Sequence, residues 1–243
     1  MTFTPAGPTS VFIFSCIVAF ILASLIEGVR IASRRLGVPG GKRAVIVAAA
    51  TGVWLLALSF FVASGAIAAD PMPRLPLFFA AGNLAGLLLG LSPVGGWLAR
   101  GLSLWTLVAF QAFRLPLEMV LHSWGEQGTI PMTMTWEGSN VDVIAGVVAI
   151  VAAVIVRVLG TYDSRARTAA WTANLVGLVL LLNVGRVALL SSPLPFAWPG
   201  VEPPLQLAMY LPYALIGPVC VAGALAGHVV LTRALLFTRP RAA

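Results

Sequence analysis

Charge is what this chain has least of. Only 9% of its 243 residues are Asp, Glu, Lys or Arg, where a soluble domain carries about a quarter. That shortage excludes an ordinary water-soluble fold. Cysteine is nearly missing as well: Cys16 and Cys220 stand far apart, each inside an apolar run. They allow no disulfide framework and no CxxC site, and they read as small packing residues. Lys42 is the sole lysine, so no lysine in the last apolar run can hold retinal. With His122 and His228 as the only histidines, a multi-histidine metal site or bis-histidine haem is not expected, and no cofactor is. The first ten residues carry no Lys or Arg. A cleavable signal peptide begins with a basic stretch, so the first run reads as a retained helix. Nucleophile-elbow and HExxH motifs are absent, and no repeat relates the two halves, which leaves an inverted-repeat transporter unsupported.

What the chain does have is apolar sequence: 59% of residues are hydrophobic, with mean hydropathy +0.97. A membrane-spanning helix needs ~20 mostly apolar residues. Seven runs meet this, near 11–33, 43–67, 76–98, 101–123, 140–160, 167–190 and 205–232. Together with short connections they use the whole chain. The expected fold is a single all-α domain, a polytopic membrane protein of seven transmembrane helices over residues 1–243.

Its basic residues set the orientation. Arg30, Arg34, Arg35, Lys42 and Arg43 separate the first two runs, and Arg100 separates the third and fourth. Arg157, Arg165 and Arg167 flank the fifth connection, while Arg233, Arg239 and Arg241 follow the seventh run. All fall on one side if the chain weaves seven times. Asp70, Glu126, Glu137, Asp142 and Glu202 fall on the other, offset only by Arg74. By the positive-inside rule the N-terminus is outside and the C-terminus inside. The isoelectric point near 10.7 therefore reflects topology and contact with anionic headgroups of the lipid bilayer, and no nucleic-acid partner is expected.

Glycines four apart, Gly82, Gly86 and Gly90 in the third run and Gly223 and Gly227 in the seventh, form faces that let helices approach closely. Ala145, Ala149 and Ala153 repeat this in the fifth. These faces suit internal packing, or a membrane-protein partner. Pro116, Pro212 and Pro218 interrupt helical runs, and each removes a backbone hydrogen bond. The outer connections are the elaborate ones. Residues 124–139 are polar and acidic. Residues 191–204 (SSPLPFAWPGVEPP) hold five prolines, which makes them stiff, extended and suited to cover the bundle as a lid.

Charged residues at helix centre cost roughly 2.5–3.5 kcal/mol and normally face protein or water with a partner. Arg114, Glu118 and His122 are spaced by four and share one helix face. Asn183 and Arg186 are neighbours on the sixth run. Asn83, Asn140, Asp142 and Tyr210 lie at similar depth toward the outside. Two readings follow. In one, Arg114 pairs with Glu118, and Arg186 with Asp142 or Glu137, tying helices together. In the other, the cluster lines an outward-facing pocket whose arginines favour an anionic group. Glu118 and His122 could supply two metal ligands, but His228 is placed at the inner end of the last run, beside Glu27 and Arg30, so no metal site is expected.

Phe113-Arg114, Glu118 and His122, followed by Gly128, Pro131, Met134-Thr135, Gly138, Asn140, Asp142 and Gly146, make up a pattern. Asn183, Leu190-Ser191, Pro193, Pro195-Phe196 and His228 continue it. Over roughly the last 140 residues the chain resembles a family of uncharacterised bacterial seven-helix integral membrane proteins. The resemblance implies a bacterial inner membrane and draws attention to the same outer cluster. It implies no catalytic role, because the family has no established activity. One departure is Val141, where similar sequences carry an aromatic, which alters the shape of the pocket.

Three functions compete. The chain binds or passes a small anionic or lipid-derived ligand through the outer pocket, without being an enzyme. Or it acts as an intramembrane enzyme on a lipid or isoprenoid substrate, with Glu118 as acid or base. Or it is a structural subunit of a larger membrane complex.

Overall fold

The computed structural model describes residues 3–237, whose regular elements are all helices, with no strand among them. Arg239 and Arg241 lie outside the described residues. α1 spans Pro8–Arg35; proline suits its first turn, and Arg34 and Arg35 complement the dipole at its end. α2 spans Gly40–Ala63. Gly65, at φ +70°, turns the chain into the short α3, Ala66–Ala69, and α4 follows at Pro71–Leu91.

The expected run 76–98 is cut at Ser92. The Ser92 hydroxyl accepts hydrogen bonds from the backbone N–H of Val94 (3.1 Å) and Gly95 (3.4 Å), and Pro93 takes the first helical position. These are helix-start signals, and a separate α5 runs Pro93–Gly101. α6 (Leu104–Phe110) and α7 (Arg114–Glu126) are joined by one 3-10 turn, Gln111–Phe113. Pro116 explains the turn: it has no N–H for the carbonyl four residues back, so the regular ladder gives way there. α8 covers Val143–Leu159 and α9 Ser164–Ser191. Asp163 caps α9, accepting from Arg165 N (2.7 Å) and Ala166 N (3.3 Å).

The last run differs most from expectation. Residues 205–212 are not a helix; one 3-10 turn covers Leu207–Met209. Pro212 precedes a second 3-10 turn, Tyr213–Ile216, and Pro218 sits in a π-helical turn, Gly217–Val221. α10 then runs Ala222–Phe237.

Six stretches are long and apolar enough to cross a membrane: Pro8–Arg35, Gly40–Ala63, Pro71–Leu91, Leu104–Glu126, Ser164–Ser191 and Tyr213–Phe237. α8 is also apolar but has 17 residues, at the short end of the ~17–25 that suffice. The chain is thus a multi-pass helical membrane protein.

Tight packing is concentrated on small residues. α4 lies along α10, α8 along α9, and α1 along α2, with α5 wedged between α1 and α10. A Cβ on Gly82 would come within 3.3 Å of Pro218 Cα, and one on Gly86 would run into the Ala222 carbonyl. On Gly90 it would meet Val229 at 2.7 Å. The glycine face of α4 is therefore filled by α10 and the π turn. Ala145, Ala149 and Ala153 are likewise buried on α8. Lipid tails are as apolar as leucine, so close backbone contact rather than escape from water holds such helices together. Of the two cysteines, Cys220 is buried, but Cys16 is exposed on α1 rather than packed.

The connections at the acidic end fold onto the bundle. Trp124 is fully buried and donates its indole N–H to Ser10 Oγ at 3.0 Å. Thr133 and Ser191 hydroxyls meet at 2.7 Å. The proline-rich loop is pinned at both ends: Trp198 N donates to Leu190 O and Leu205 N to Ser191 O, both at 2.7 Å. Replacing Gly86 by leucine pushes α4 off α10. The expected loss is about 1–3 kcal/mol, read as a lower unfolding midpoint of the purified protein in detergent.

Candidate functional site

Arg114 begins α7 about 15 Å along the Leu104–Glu126 stretch (~1.5 Å per residue) and is 2% exposed. A buried guanidinium must find acceptors for its donors. Nε donates to Asp142 Oδ2 at 2.7 Å, and Nη2 donates to Oδ1 of the same carboxylate. Nη1 donates to the Gly177 carbonyl at 2.9 Å and lies 3.1 Å from His228 Nε2. Three helices, α8, α9 and α10, are thus tied to α7 by one side chain.

The expected pairing of Arg114 with Glu118 is not what forms. Asp142, at the N-cap position of α8, takes the guanidinium in a bidentate pair, the geometry arginine prefers. Glu118, 1% exposed, instead accepts from Asn140 Nδ2, 3.1 and 3.0 Å from its two oxygens. Asn140 also donates to the Met134 carbonyl at 3.1 Å and accepts from Asp142 N at 3.3 Å. The irregular 127–142 connection is therefore a partly buried plug that delivers Asn140 and Asp142 to α7.

His228 corrects the sequence reading. It is not at the inner end beside Glu27 and Arg30, which pair with each other at 3.5 Å. It is fully buried at the depth of Arg114. Arginine can only donate, so His228 Nε2 accepts. The ring proton then sits on Nδ1 and is given to Asn174 Oδ1, 3.0 Å away. Asn174 Nδ2 donates to Thr232 Oγ1 at 2.7 Å, and Thr232 donates to the His228 carbonyl at 2.9 Å. A continuous polar chain results: Glu118, Asn140, Asp142, Arg114, His228, Asn174, Thr232.

The other sequence candidates stand apart from this chain. Asn183 donates to Ser139 O at 2.9 Å, and Arg186 donates to Asn183 at 2.8 Å with its guanidinium 5.3 Å from the Trp198 ring. Arg186 pairs with neither Asp142 nor Glu137. His122 stacks on Trp136 at 4.0 Å, its Nε2 3.7 Å from Glu126 and 3.9 Å from Glu137. Asn83 donates to Phe79 O in its own helix at 2.9 Å, and Tyr210 stacks on Phe3 at 4.1 Å.

No family model, curated protein or solved structure matches the chain. The site is read from its own chemistry.

Arg114, Glu118 and Asp142 share a cavity of about 50 Å³. Its other walls are apolar, among them Phe78, Phe79, Leu117 and Leu181, and its roof is Leu205, Leu207 and Ala208. The proline-rich loop does not line it beyond Ser192; the irregular segment that follows does. Non-helical backbone at such a place is tolerated where it lines a cavity, and π turns recur at functional sites.

Gly177 makes room for the chain's centre. A Cβ there would strike the His228 ring and lie 3.0 Å from Arg114 Nη1. Gly185, two turns along the same helix, would meet nothing within 4 Å. Gly177→Ala is expected to lower stability by about 1–3 kcal/mol and to remove the Nδ1-protonated imidazole signature in ¹⁵N spectra. Gly185→Ala leaves both as they are, or stabilises by up to about 1 kcal/mol through helix propensity.

Proposed function

We propose that this is a seven-span protein of a bacterial inner membrane, with its acidic connections outside, its basic ones inside, and an outward-facing intramembrane cavity that binds or passes a lipid-derived ligand. The reading rests on one observation: three ionisable side chains in the membrane interior share a mostly apolar cavity under an irregular roof. The sequence allowed a small anion or a lipid-derived molecule. The geometry favours the second. Four of the five Arg114 donors are already engaged, so a free anion would have to displace the Asp142 carboxylate. A ligand with an apolar body and one donor group meets less resistance. Its body lies on the phenylalanine and leucine walls, and its polar end meets Glu118, whose partner is the single Asn140 amide. The closed volume admits a group of few atoms, so entry of a longer chain requires residues 205–212 to lift.

The resemblance of roughly the last 140 residues to bacterial seven-helix proteins belongs to this proposal, as does the crossing of the 17-residue α8. Orientation is checked with single cysteines in a background lacking Cys16 and Cys220. An impermeant maleimide labels Glu202→Cys in intact cells and Lys42→Cys only after lysis; the reverse pattern inverts the protein and moves the cavity inside.

The ligand is checked by native mass spectrometry of protein in lipid nanodiscs. Wild type carries a lipid-derived mass that Glu118→Gln loses at unchanged unfolding midpoint. Equal retention by both removes Glu118 from the site, and a bare wild type removes the cavity as a ligand site.

A further inference from the structure

A much larger hollow lies on the other face of α10 and its π turn from this cavity. α1 and α2 form one pair and α4 and α10 another, and the gap between the pairs is a groove of about 750 Å³. Its floor is made of small residues, Ala222, Gly223, Ala226 and Gly227 on α10. Its walls are large: Phe20 from α1, Trp54 from α2 and Trp105 from α6. Small floor against large walls is what makes the hollow. Phe20 and Trp105 are 51% and 41% exposed, so the groove opens sideways to the surrounding medium.

That medium is hydrocarbon. Along α1 the groove runs from Phe20 to Ile31, ~17 Å at 1.5 Å per residue, close to the ~15 Å that one leaflet contributes to the membrane core. It lies in the half toward the basic connections. Glu27 is the acid on its lining, and Arg30 pairs with it at 3.5 Å. Beyond it stand Arg34, Lys42, Arg43 and Arg100. Arg43 lies 4.0 Å over the Trp97 ring, and Arg100 lies 6.0 Å from the Phe237 ring, so both guanidiniums are held at that end on aromatic faces. An apolar slot one leaflet deep, ending under a row of cations, matches one chemical class.

We infer that this groove is a binding site for an anionic phospholipid of the basic-side leaflet, its acyl chain lying on the Ala222–Gly227 floor and its headgroup phosphate among Arg30, Arg43 and Arg100. Anionic headgroups are attracted by about 1 kcal/mol per basic residue near the membrane surface, and the slot adds chain contacts that ordinary lipid around the protein does not make. The site is separate from the acidic-end cavity: Cys220 and Ala224 face that cavity, Ala222 and Gly223 face the groove.

The test uses the full chain in nanodiscs of phosphatidylcholine with increasing phosphatidylglycerol whose chains carry bromine, a contact quencher of tryptophan. The signal is the difference between wild type and Trp54→Phe. The expected result is Trp54 quenching that saturates while the brominated lipid is still a minor component. The same quenching is weaker with brominated phosphatidylcholine, and Ala85→Phe loses its saturable part. Should Ala85→Phe fail to fold, Ala50→Phe fills the groove from the other wall and gives the same loss. Glu118→Gln leaves the quenching unchanged, which separates this site from the cavity proposed above. Quenching that only tracks bulk composition, or is equal for the two lipids, overturns the inference. So does a co-purifying membrane protein that abolishes quenching and cross-links at Trp54, since the groove is then a protein interface.

Discussion

The structure depends on keeping one buried guanidinium satisfied. Arg114 lies at the centre of the bundle, and its acceptors come from three other helices: the Asp142 carboxylate, the Gly177 carbonyl and the His228 imidazole. Neutral hydrogen bonds between membrane helices are worth little, about 0.6 kcal/mol on average. An unpaired buried charge costs far more, about 3–5 kcal/mol. The constraint is therefore electrostatic, and it acts by excluding arrangements of α7, α8, α9 and α10 in which the charge is left bare. Small residues make the arrangement reachable. Gly177 clears space for the imidazole, and on α8 Gly146 lets that helix approach so near that a Cβ would sit 2.6 Å from Leu115 N.

Much of this was legible in the residues. Arg114, Glu118, Asn140 and Asp142 stood out because charge in an apolar run is costly, and they do meet. The glycine faces predicted close packing and α4 shows it. What the spacing could not supply was the pairing. Residues four apart on one helix share a face, but a bidentate carboxylate must approach in the plane of the guanidinium, and Asp142 arrives from α8 in that plane while Glu118 does not. The depth of His228 is not legible from the apolar run alone, because a helix counted from residue 205 puts His228 at its end. The helical stretch is Tyr213–Phe237, and His228 lies ~14 Å from its basic end at 1.5 Å per residue, level with Arg114. Pro212 was the available signal, since a helix seldom continues through a residue that precedes proline. Asn174 and Thr232 could have been found by the cost argument that found Arg114. Asn183 and Arg186 satisfied that argument too, yet face the 127–142 plug and Trp198, because the burial of a helix face is set by neighbours that no single helix reveals.

The molecule is asymmetric along its length. At the acidic end the connections are long, folded inward and rich in side-chain hydrogen bonds, and they cover a small, mostly apolar cavity. At the basic end the connections are short, and the helix pairs splay to leave an apolar groove. The π turn at Gly217–Val221 and the start of α10 form the partition between the two spaces. A change in that turn would be felt on both sides, which gives Pro218 a role beyond ending a ladder.

The most direct measurement is a double-mutant cycle on Arg114→Gln and Asp142→Asn, read as unfolding free energy of the purified protein in mixed micelles. If the guanidinium organises the bundle, each single variant loses about 3–5 kcal/mol and the double variant loses much less than their sum. If the losses are small, of the 0–1 kcal/mol size of an exposed ion pair, and simply additive, the bundle does not depend on this pair and the account is wrong.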